Sequence, residues 1–263
     1  MCELLTFQNV SVAFHKNTVV HQVSFSLEPG EILGIVGESG SGKSTILKAA
    51  MGILENGGRV TEGQILFQNR NICEMKEKEL RPIRGAGMGM IFQDAGASLS
   101  PIRTIGEQIY ESLSAHKKCA KQEAYEKARE LFEKLHFQDG KRVWNSYPFE
   151  LSGGMNQRVG IMLAMLMEPP LLLADEPTSA LDVAVQKQVV QEMKRLREKF
   201  GTAEILVTHD IGVVRAMADR ILVLKEGRVV EYGAAAKVLK EPEDPYTKEL
   251  LAAVPKLRRN PDE

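Results

Sequence analysis

The sequence predicts an α/β domain with a mostly parallel sheet, an antiparallel β-region at the start of the chain and a helical region inserted in the middle. Three observations predict this fold. An apolar strand runs into a glycine-rich loop and a helix between residues 31 and 51. Apolar strands alternate with helices after residue 170, as in a parallel sheet covered by helices. Between these parts, the stretch from about Thr104 to Lys141 has helical spacing and no good strand.

The first third of the chain alternates strands with turn residues. The predicted strands are LLTFQNVSVAF, VVHQVSFSLEPGE and EILGIVG. A helix is predicted from Lys43 to about Met51, and GGRVTEGQILFQNRNI resembles a further hairpin. This region is the expected antiparallel β-subdomain, together with the strand that leads into the loop.

The second half supplies most of the parallel sheet. Its predicted strands are the run Leu171 to Ala174, EILVTHD and RILVLKEGRVVEYG, with a helix over Val183 to Phe200. We expect one domain over residues 1–240, with the helical subdomain inserted at about 95–165. Residues 241–263 are expected to be a short accessory segment with one amphipathic helix and a frayed end.

Composition excludes several classes of protein. The 263 residues are 43% hydrophobic, which is enough to bury a substantial core. Lys and Arg total 34 against 35 Asp and Glu, so no basic excess indicates a nucleic-acid partner. Cys2, Cys73 and Cys119 are widely separated and predict neither a disulfide framework nor a zinc site. No apolar run reaches the ~18 residues of a membrane span, and the first residues lack the pattern of a signal segment.

The segment GESGSGKS, at Gly37 to Ser44, has the pattern of a phosphate-binding loop. Its glycines allow a tight loop whose amide groups converge on a phosphate at the N-terminus of a helix. Lys43 supplies positive charge to the β- and γ-phosphates, Ser44 offers a hydroxyl to Mg²⁺, and Thr45 is a further donor. A merely flexible loop is the competing interpretation, which the flanking strand and helix disfavour. The predicted ATP contacts in this segment are Gly37, Ser39, Gly40, Ser41, Gly42, Lys43, Ser44 and Thr45.

Two adjacent carboxylates end the apolar strand LLLADE. Asp175 is expected at the carboxyl edge of the sheet, where it can hold Mg²⁺ through water. Glu176 is expected to face the γ-phosphate and to polarise the attacking water, because adjacent residues on an extended backbone point in different directions. The competing interpretation is that two acids end a buried strand by chance.

Three further residues are candidates for the same site. His209 follows a predicted strand, where it can touch the γ-phosphate. Gln93 ends the strand MIF and can reach Mg²⁺ or the lytic water, and Phe14 precedes a turn and can stack on adenine. The competing interpretations are a packed or surface histidine, an ordinary turn at Gln93, and core packing of Phe14.

The segment LSGGMNQR, at Leu151 to Arg158, predicts a second anion site. Ser152 is expected to cap a helix whose backbone is exposed by Gly153 and Gly154. These donors cannot reach the same phosphates within one compact domain, so we expect them to contact a γ-phosphate presented by another subunit. ATP would then bind between two ATPases, with the segment SALD at residues 179–182 in the same interface.

Together these motifs resemble those of the ATP-binding cassette (ABC) ATPases, from Phe14 to about Tyr232. The resemblance implies a P-loop NTPase core, ATP and Mg²⁺ as cofactors, and ATP hydrolysis coupled to transport. It matches Phe14 to the adenine-stacking loop, residues 37–44 to Walker A, Gln93 to the Q-loop, residues 151–158 to the signature, residues 171–176 to Walker B, residues 179–182 to the D-loop and His209 to the switch histidine.

A finer resemblance is to the oligopeptide, dipeptide and nickel importer branch. It rests on GESGSGKS, FQDAGASLSPIRTIGEQI, YPFELSGGM and DPYTKELLAAVP. The chain departs from that branch at Ala95, Ser100 and Asn156, where Pro, Asn, and Arg or Gln are usual. Many peptide-importing relatives continue into a cysteine-bearing tail, so the end of this chain at Glu263 makes it look more like the nickel or metallophore members.

The leading hypothesis is the ATP-hydrolysing subunit of an ABC importer for dipeptides, oligopeptides or metallophore-bound nickel. Its expected partners are a paralogous second ATPase in a head-to-tail dimer, two membrane permease subunits and, through the complex, an extracytoplasmic substrate-binding protein. The chain is expected as a peripheral subunit at the cytoplasmic face of the inner membrane, with Asp94 to Thr104 receiving a coupling helix. The alternatives are a soluble ABC ATPase of the translation or DNA-repair type, and an exporter subunit.

Overall fold

A computed structural model describes residues 3–135, 137–179 and 181–253 of the chain. Over these residues the chain forms two sheets and the helices that flank them. The strands are β1 (Leu5–Phe14), β2 (Asn17–Leu27), β3 (Ile32–Val36), β4 (Gly58–Phe67), β5 (Arg70–Asn71), β6 (Met88–Ile91), β7 (Leu171–Asp175), β8 (Ala203–Val207), β9 (Arg220–Lys225) and β10 (Arg228–Ala234). The helices are α1 (Lys43–Ala50), α2 (Glu77–Leu80), α3 (Ala95–Ser98), α4 (Ile105–Ser114), α5 (Lys121–Lys134), α6 (Gly140–Asn145), α7 (Gly153–Met165), α8 (Val183–Phe200), α9 (Ile211–Met217), α10 (Ala235–Lys240) and α11 (Pro245–Ala252).

The first sheet is antiparallel and has the strand order β2-β1-β4-β5. Strand β1 pairs with both β2 and β4, and one face of the sheet is buried in the core. The rings of Phe7 and Phe25 stack there with centroids 4.5 Å apart. Strands β4 and β5 form the predicted hairpin, pairing Leu66 with Asn71. This sheet confirms the expected antiparallel β-subdomain.

The second sheet has the order β10-β9-β3-β8-β7-β6, and only its β9–β10 pairing is antiparallel among the strands described. Strands β3, β7 and β8 are buried along their whole length, which explains why they are almost entirely apolar; the charged exceptions are Asp175, the last residue of β7, and Glu204 in β8. Because β3, β6, β7 and β8 are parallel, their carboxyl ends meet at one edge of the sheet. The predicted α/β class with a mostly parallel sheet is confirmed.

Helices α4, α5 and α6 occupy the stretch that the sequence predicts to be helical, and no strand interrupts its described residues. Their apolar faces pack together around Trp144, whose ring meets that of Tyr125 edge-on at 5.1 Å. Gly106 lets α4 approach that ring, since a Cβ there would lie 2.4 Å from Trp144. The limits of the inserted subdomain, 95–165, stay a prediction.

The C-terminal helices α10 and α11 pack on the central sheet. Val238 and Tyr246 join a buried cluster with Val36, at the end of β3, and Val223, within β9. Helix α11 confirms the predicted helix of the accessory segment, whereas the residues expected to fray, 254–263, and Cys2 lie outside the described part of the chain. None of the described helices is long and apolar enough to cross a bilayer.

Candidate active site

The loop between β3 and α1 depends on three glycines. Gly37, Gly40 and Gly42 have φ angles of 154°, 81° and 100°. A Cβ at Gly37 would lie 2.1 Å from the carbonyl oxygen of Leu224, so no other residue fits at that position. Gly42 has no side chain with which to cap α1, and the first amide groups of the helix are left for another acceptor. These features fit a phosphate group, which prefers such a helix start.

Lys43 begins α1 and turns its side chain back onto the loop. Its Nζ donates to the carbonyl oxygens of Gly37 at 2.8 Å and Glu38 at 2.7 Å. Burial lowers the pKa of Lys43, while the charges of Glu176, Asp175 and Glu38 oppose that shift. Close by on the loop, the buried hydroxyl of Ser41 has no hydrogen-bond partner among the residues that the structure describes. A polyanion that accepts from both groups would satisfy this arrangement.

Ser44 and Asp175 form a pair of oxygen ligands at the carboxyl edge of the sheet. Ser44 Oγ donates to Asp175 Oδ1 at 2.8 Å. Burial raises the pKa of Asp175, and the hydrogen bond from Ser44 opposes the rise. Carboxylate and hydroxyl oxygens suit Mg²⁺, which binds through one or two carboxylates together with substrate phosphates. The described residues contain no cluster of three or more acids, histidines and cysteines that could hold a metal ion.

Glu176 is the centre of the second group. Its Oε2 lies 3.2 Å from Nε2 of Gln93 and 3.3 Å from Nδ1 of His209. Gln93 follows β6 and His209 follows β8, the two strands on either side of β7. The order of the sheet therefore brings together three residues that are far apart in the sequence.

The backbone of Glu176 differs from the extended conformation that the sequence analysis assumed. Its φ is 45°, in the left-handed region, so the expectation of an extended pair with Asp175 is wrong. The chain turns here because the amide of Glu176 donates to the carbonyl of Val207 at 2.8 Å and its carbonyl accepts from Ser179. This turn separates the two carboxylates, with Asp175 toward Ser44 and Glu176 toward His209.

The groups around Glu176 differ in exposure, which bears on their chemistry. The side chain of His209 is 65% exposed and that of Glu176 is 18% exposed, and Gln93 lies on the surface two residues after β6 ends. A carboxylate that is held by neighbouring donors and still reaches solvent suits the role of a general base toward water. The imidazole and amide suit the role of positioning that carboxylate.

The roles predicted for Phe14, Ser152 and the D-loop stay predictions. Phe14 ends β1, where it is half-buried against the core of the antiparallel sheet and lies over Gly58. Ser152 caps α7 as predicted, accepting from the amide of Met155 at 3.3 Å, and is exposed together with Gly153. Ala180, within the D-loop segment, lies outside the described residues.

One contact of the loop was not predicted from the sequence. The hydroxyl of Tyr246, on α11, accepts a hydrogen bond from the backbone amide of Glu38 at 2.9 Å. The only signal in the sequence was the segment DPYTKELLAAVP, which served as a mark of resemblance and received no role. Spacing could not reveal the contact, because 208 positions separate the two residues.

Comparison with known proteins places these motifs in context. A family model described as ABC transporter matches residues 20–179. The chain is 42% identical to the dipeptide transport ATP-binding protein DppD of Bacillus subtilis (strain 168), over 99% of this chain and 79% of DppD. It is 43% identical to the glutathione import ATP-binding protein GsiA of Escherichia coli O1:K1 / APEC, over 97% of this chain. The chain spans 42% of the length of GsiA.

Among solved structures, the dimeric post-hydrolysis state of the ATP-binding cassette MJ0796, bound to ADP and Pi, has the same fold. The TM-score is 0.78 at 31% identity, and the match covers 88% of this chain and 98% of MJ0796.

Proposed function

The chain belongs to the ABC transporter family, and from that premise we propose that it is the ATP-hydrolysing subunit of an importer for peptide-type substrates. The observation that carries the proposal is the position of Glu176, held by Gln93 and His209 beside the Ser44–Asp175 pair. A chain that only bound nucleotide would not need a positioned general base. The remaining family alternatives, a translation or repair ATPase and an exporter subunit, find no support in the relatives compared.

Phosphoryl transfer to water needs charge neutralisation and an oriented water more than it needs covalent chemistry. The loop amides and Lys43 hold and neutralise the phosphates. Ser44 and Asp175 would hold Mg²⁺, which when bound would withdraw charge from phosphate oxygens. Glu176 accepts the proton of the attacking water, while Gln93 and His209 keep its carboxylate in place.

A second ATPase subunit is part of the proposal, because Ser152 and Gly153 are exposed at the start of α7, where the backbone amides can bind an anion that another subunit presents. Helix α7 has 13 residues, so its N-terminus has a substantial dipole. The dimeric description of MJ0796 supports a pairing of cassettes. We propose a head-to-tail dimer, with a paralogue as the partner, in which each α7 faces the nucleotide of the other subunit.

The surface after β6 is the proposed contact with a membrane permease. Phe92 is 42% exposed and Ile102 is 83% exposed, which is unusual for large apolar side chains. A cleft of about 460 Å³ lies beside Phe92, and its lining includes Leu99 and Gln108. The segment from Asp94 to Thr104 follows Gln93 directly, and Gln93 donates a hydrogen bond to Glu176. A partner bound to this segment is therefore connected to Glu176. We therefore propose that the chain acts at the cytoplasmic face of the membrane, in a complex with two permeases and an extracytoplasmic binding protein.

The substrate class follows from the names of the relatives. DppD is described for dipeptides and GsiA for glutathione, and both cargoes contain peptide bonds. Nickel, the other expectation from sequence, has no such support. We therefore propose a short peptide as the cargo.

Uptake in cells tests the function and the substrate together. Cells whose chromosomal copy carries Lys43→Ala should lose accumulation of a radiolabelled dipeptide, whereas Lys78→Ala, an exposed lysine on α2, should not. Nickel in the same cells, measured by elemental mass spectrometry, should be unchanged. Loss of nickel with normal peptide uptake would mean that nickel, and not a peptide, is the substrate. Normal uptake of both would overturn the importer function.

A further inference from the structure

The C-terminal helix α11 reaches the phosphate-binding loop through one side chain. Tyr246 lies in the first turn of α11, and its hydroxyl accepts from the backbone amide of Glu38 at 2.9 Å. Glu38 is the second residue of the loop, between Gly37 and the exposed tip. A residue outside the family-model match therefore contacts the site backbone directly.

This hydrogen bond holds a peptide group that Lys43 also holds. The carbonyl of Gly37 and the amide of Glu38 belong to one peptide group, which is planar with its C=O and N–H pointing in opposite directions. Lys43 Nζ donates to that carbonyl at 2.8 Å, while Tyr246 accepts from that amide. The two side chains therefore hold the same peptide plane from opposite sides. The plane cannot rotate without breaking at least one of these two hydrogen bonds.

Tyr246 is itself well anchored. Its side chain is buried, at 5% exposure, in the cluster that contains Val36 at the end of β3. The ammonium of Lys225 lies 4.7 Å from the centre of its ring. Asp244 caps α11 by accepting from the amide of Tyr246, and Glu231 on β10 accepts from the amide of Asp244. The hydroxyl thus has a fixed position relative to the central sheet.

We infer that Tyr246 is a positioning residue for the phosphate-binding loop, which it holds in the conformation that binds nucleotide. The inference rests on the proposed function, since it concerns the ATP site of that function. Without the hydroxyl, the amide of Glu38 loses its acceptor and the Gly37–Glu38 peptide is free to turn, which displaces the carbonyl that orients Lys43. Because the loop holds the phosphates before and during hydrolysis, the loss should appear in nucleotide affinity and KM more than in kcat.

The test is calorimetric titration of the full chain with MgATP. Tyr246→Phe keeps the ring and removes the hydroxyl, and it should raise Kd about three- to tenfold, the usual effect of one hydrogen bond. The unfolding midpoint should stay close to that of the wild type, because the apolar packing of α11 is kept. Tyr232→Phe, which removes a hydroxyl on β10 that donates to the carbonyl of Ser26, is the matched control and should leave Kd unchanged.

Two further measurements separate positioning from general stability. Val238→Ala loosens the docking of α10 without touching the loop, and it should lower stability but not affinity. Amide exchange of Glu38, followed by NMR, should speed up in Tyr246→Phe and not in Val238→Ala. The inference would be overturned if Tyr246→Phe bound MgATP as tightly as the wild type. It would also be overturned if Tyr246→Phe and Val238→Ala lost MgATP affinity to the same extent. Failure of the wild type to bind MgATP would instead overturn the proposed function.

Discussion

Ser44 donates a hydrogen bond to Asp175 at 2.8 Å across 131 positions of sequence. Ser44 lies in the first turn of α1 and Asp175 is the last residue of β7. The contact joins the helix that begins at the loop to the strand that carries the two acids. Burial raises the pKa of Asp175, so the pair keeps a carboxylate next to a hydroxyl at some cost in desolvation.

The first prediction concerns this pair. Ser44→Ala should weaken MgATP binding much more than binding of ATP in EDTA, because it removes an oxygen ligand and the donor to Asp175. The ratio of the two Kd values, from calorimetric titration, should change about tenfold, or ~1.4 kcal/mol. Ser114→Ala, at an exposed position on α4, is the control. An unchanged ratio would show that Ser44 does not serve the metal.

The second prediction concerns Glu176 as general base. Glu176→Gln keeps the shape of the side chain and removes its basicity, so hydrolysis should fall by about 10² or more. Affinity for MgATP should change less than about twofold, and an ATP-bound dimer should accumulate in light scattering. Glu133→Gln, at an exposed site on α5, should behave as the wild type. Unaltered turnover of Glu176→Gln in the assembled transporter would end its catalytic role.

The third prediction concerns the two neighbours of Glu176. Gln93→Ala and His209→Ala should each lower kcat, because each removes one contact to the same carboxylate oxygen. In a double-mutant cycle the two losses should be clearly less than additive, since both act through Glu176. The measurement is steady-state phosphate release by each single variant and the double variant. Strict additivity would mean that Gln93 and His209 act independently.

The fourth prediction compares two loop glycines. Gly37→Ala should destabilise the protein and abolish nucleotide binding, because its Cβ would lie 2.1 Å from a backbone oxygen of Leu224. Gly40→Ala meets no atom within 4 Å and has only the strain of its φ of 81°, about 1–2 kcal/mol. Thermal unfolding with and without MgATP should rank the variants in that order. Equal unfolding midpoints would contradict the close approach at Gly37.

The fifth prediction is a pH dependence of folding. Glu204 on β8 is fully buried, and burial raises its pKa from 4.5 to about 8, with Asp219 adding to the rise and Arg197 opposing it. Between these values the folded state binds a proton that the unfolded state has lost. With respect to this group, stability should therefore be greatest below about pH 4.5 and should fall by about 1.4 kcal/mol per pH unit as the pH rises from there to about 8.

Glu204→Gln, which imitates the protonated acid, should remove this dependence. The variant and the wild type should have similar urea midpoints at pH 5, and the variant should be more stable at pH 8. Glu198→Gln, an exposed residue on α8, is the control and should keep the slope of the wild type. Parallel pH profiles of wild type and Glu204→Gln would show that Glu204 does not titrate in the folded protein.

Most of the fold was predictable because its signals are local. The run Leu171 to Ala174 is apolar since β7 is buried on both faces, and α8 covers the limits predicted for it, Val183 to Phe200. The loop glycines and the cap of α7 at Ser152 likewise follow from nearby residues. The candidates Gln93, Asp175, Glu176 and His209 were also available, because each lies at or just after the end of an apolar strand.

Long-range features were not predictable from those signals. The left-handed backbone of Glu176 depends on a hydrogen bond to Val207 on the neighbouring strand. Glu204 is the second residue of β8, where the sequence allows a solvent-exposed side chain as readily as a buried one. No neighbouring residue shows that its carboxylate is fully buried. The contact of Tyr246 with Glu38 arises only when α11 packs on the sheet.

The hydrogen bond from Glu38 to Tyr246 also bears on where fragments of this protein should end. A recombinant fragment trimmed to residues 20–179, the limits of the family match, loses both α11 and strands β8 to β10. A longer fragment that ends at residue 240 keeps the phosphate-binding loop and the residues around Glu176, but it still lacks Tyr246. In such fragments the amide of Glu38 lacks its acceptor, the hydroxyl of Tyr246. Nucleotide affinities measured on them should therefore be lower than the affinity of the longer chain.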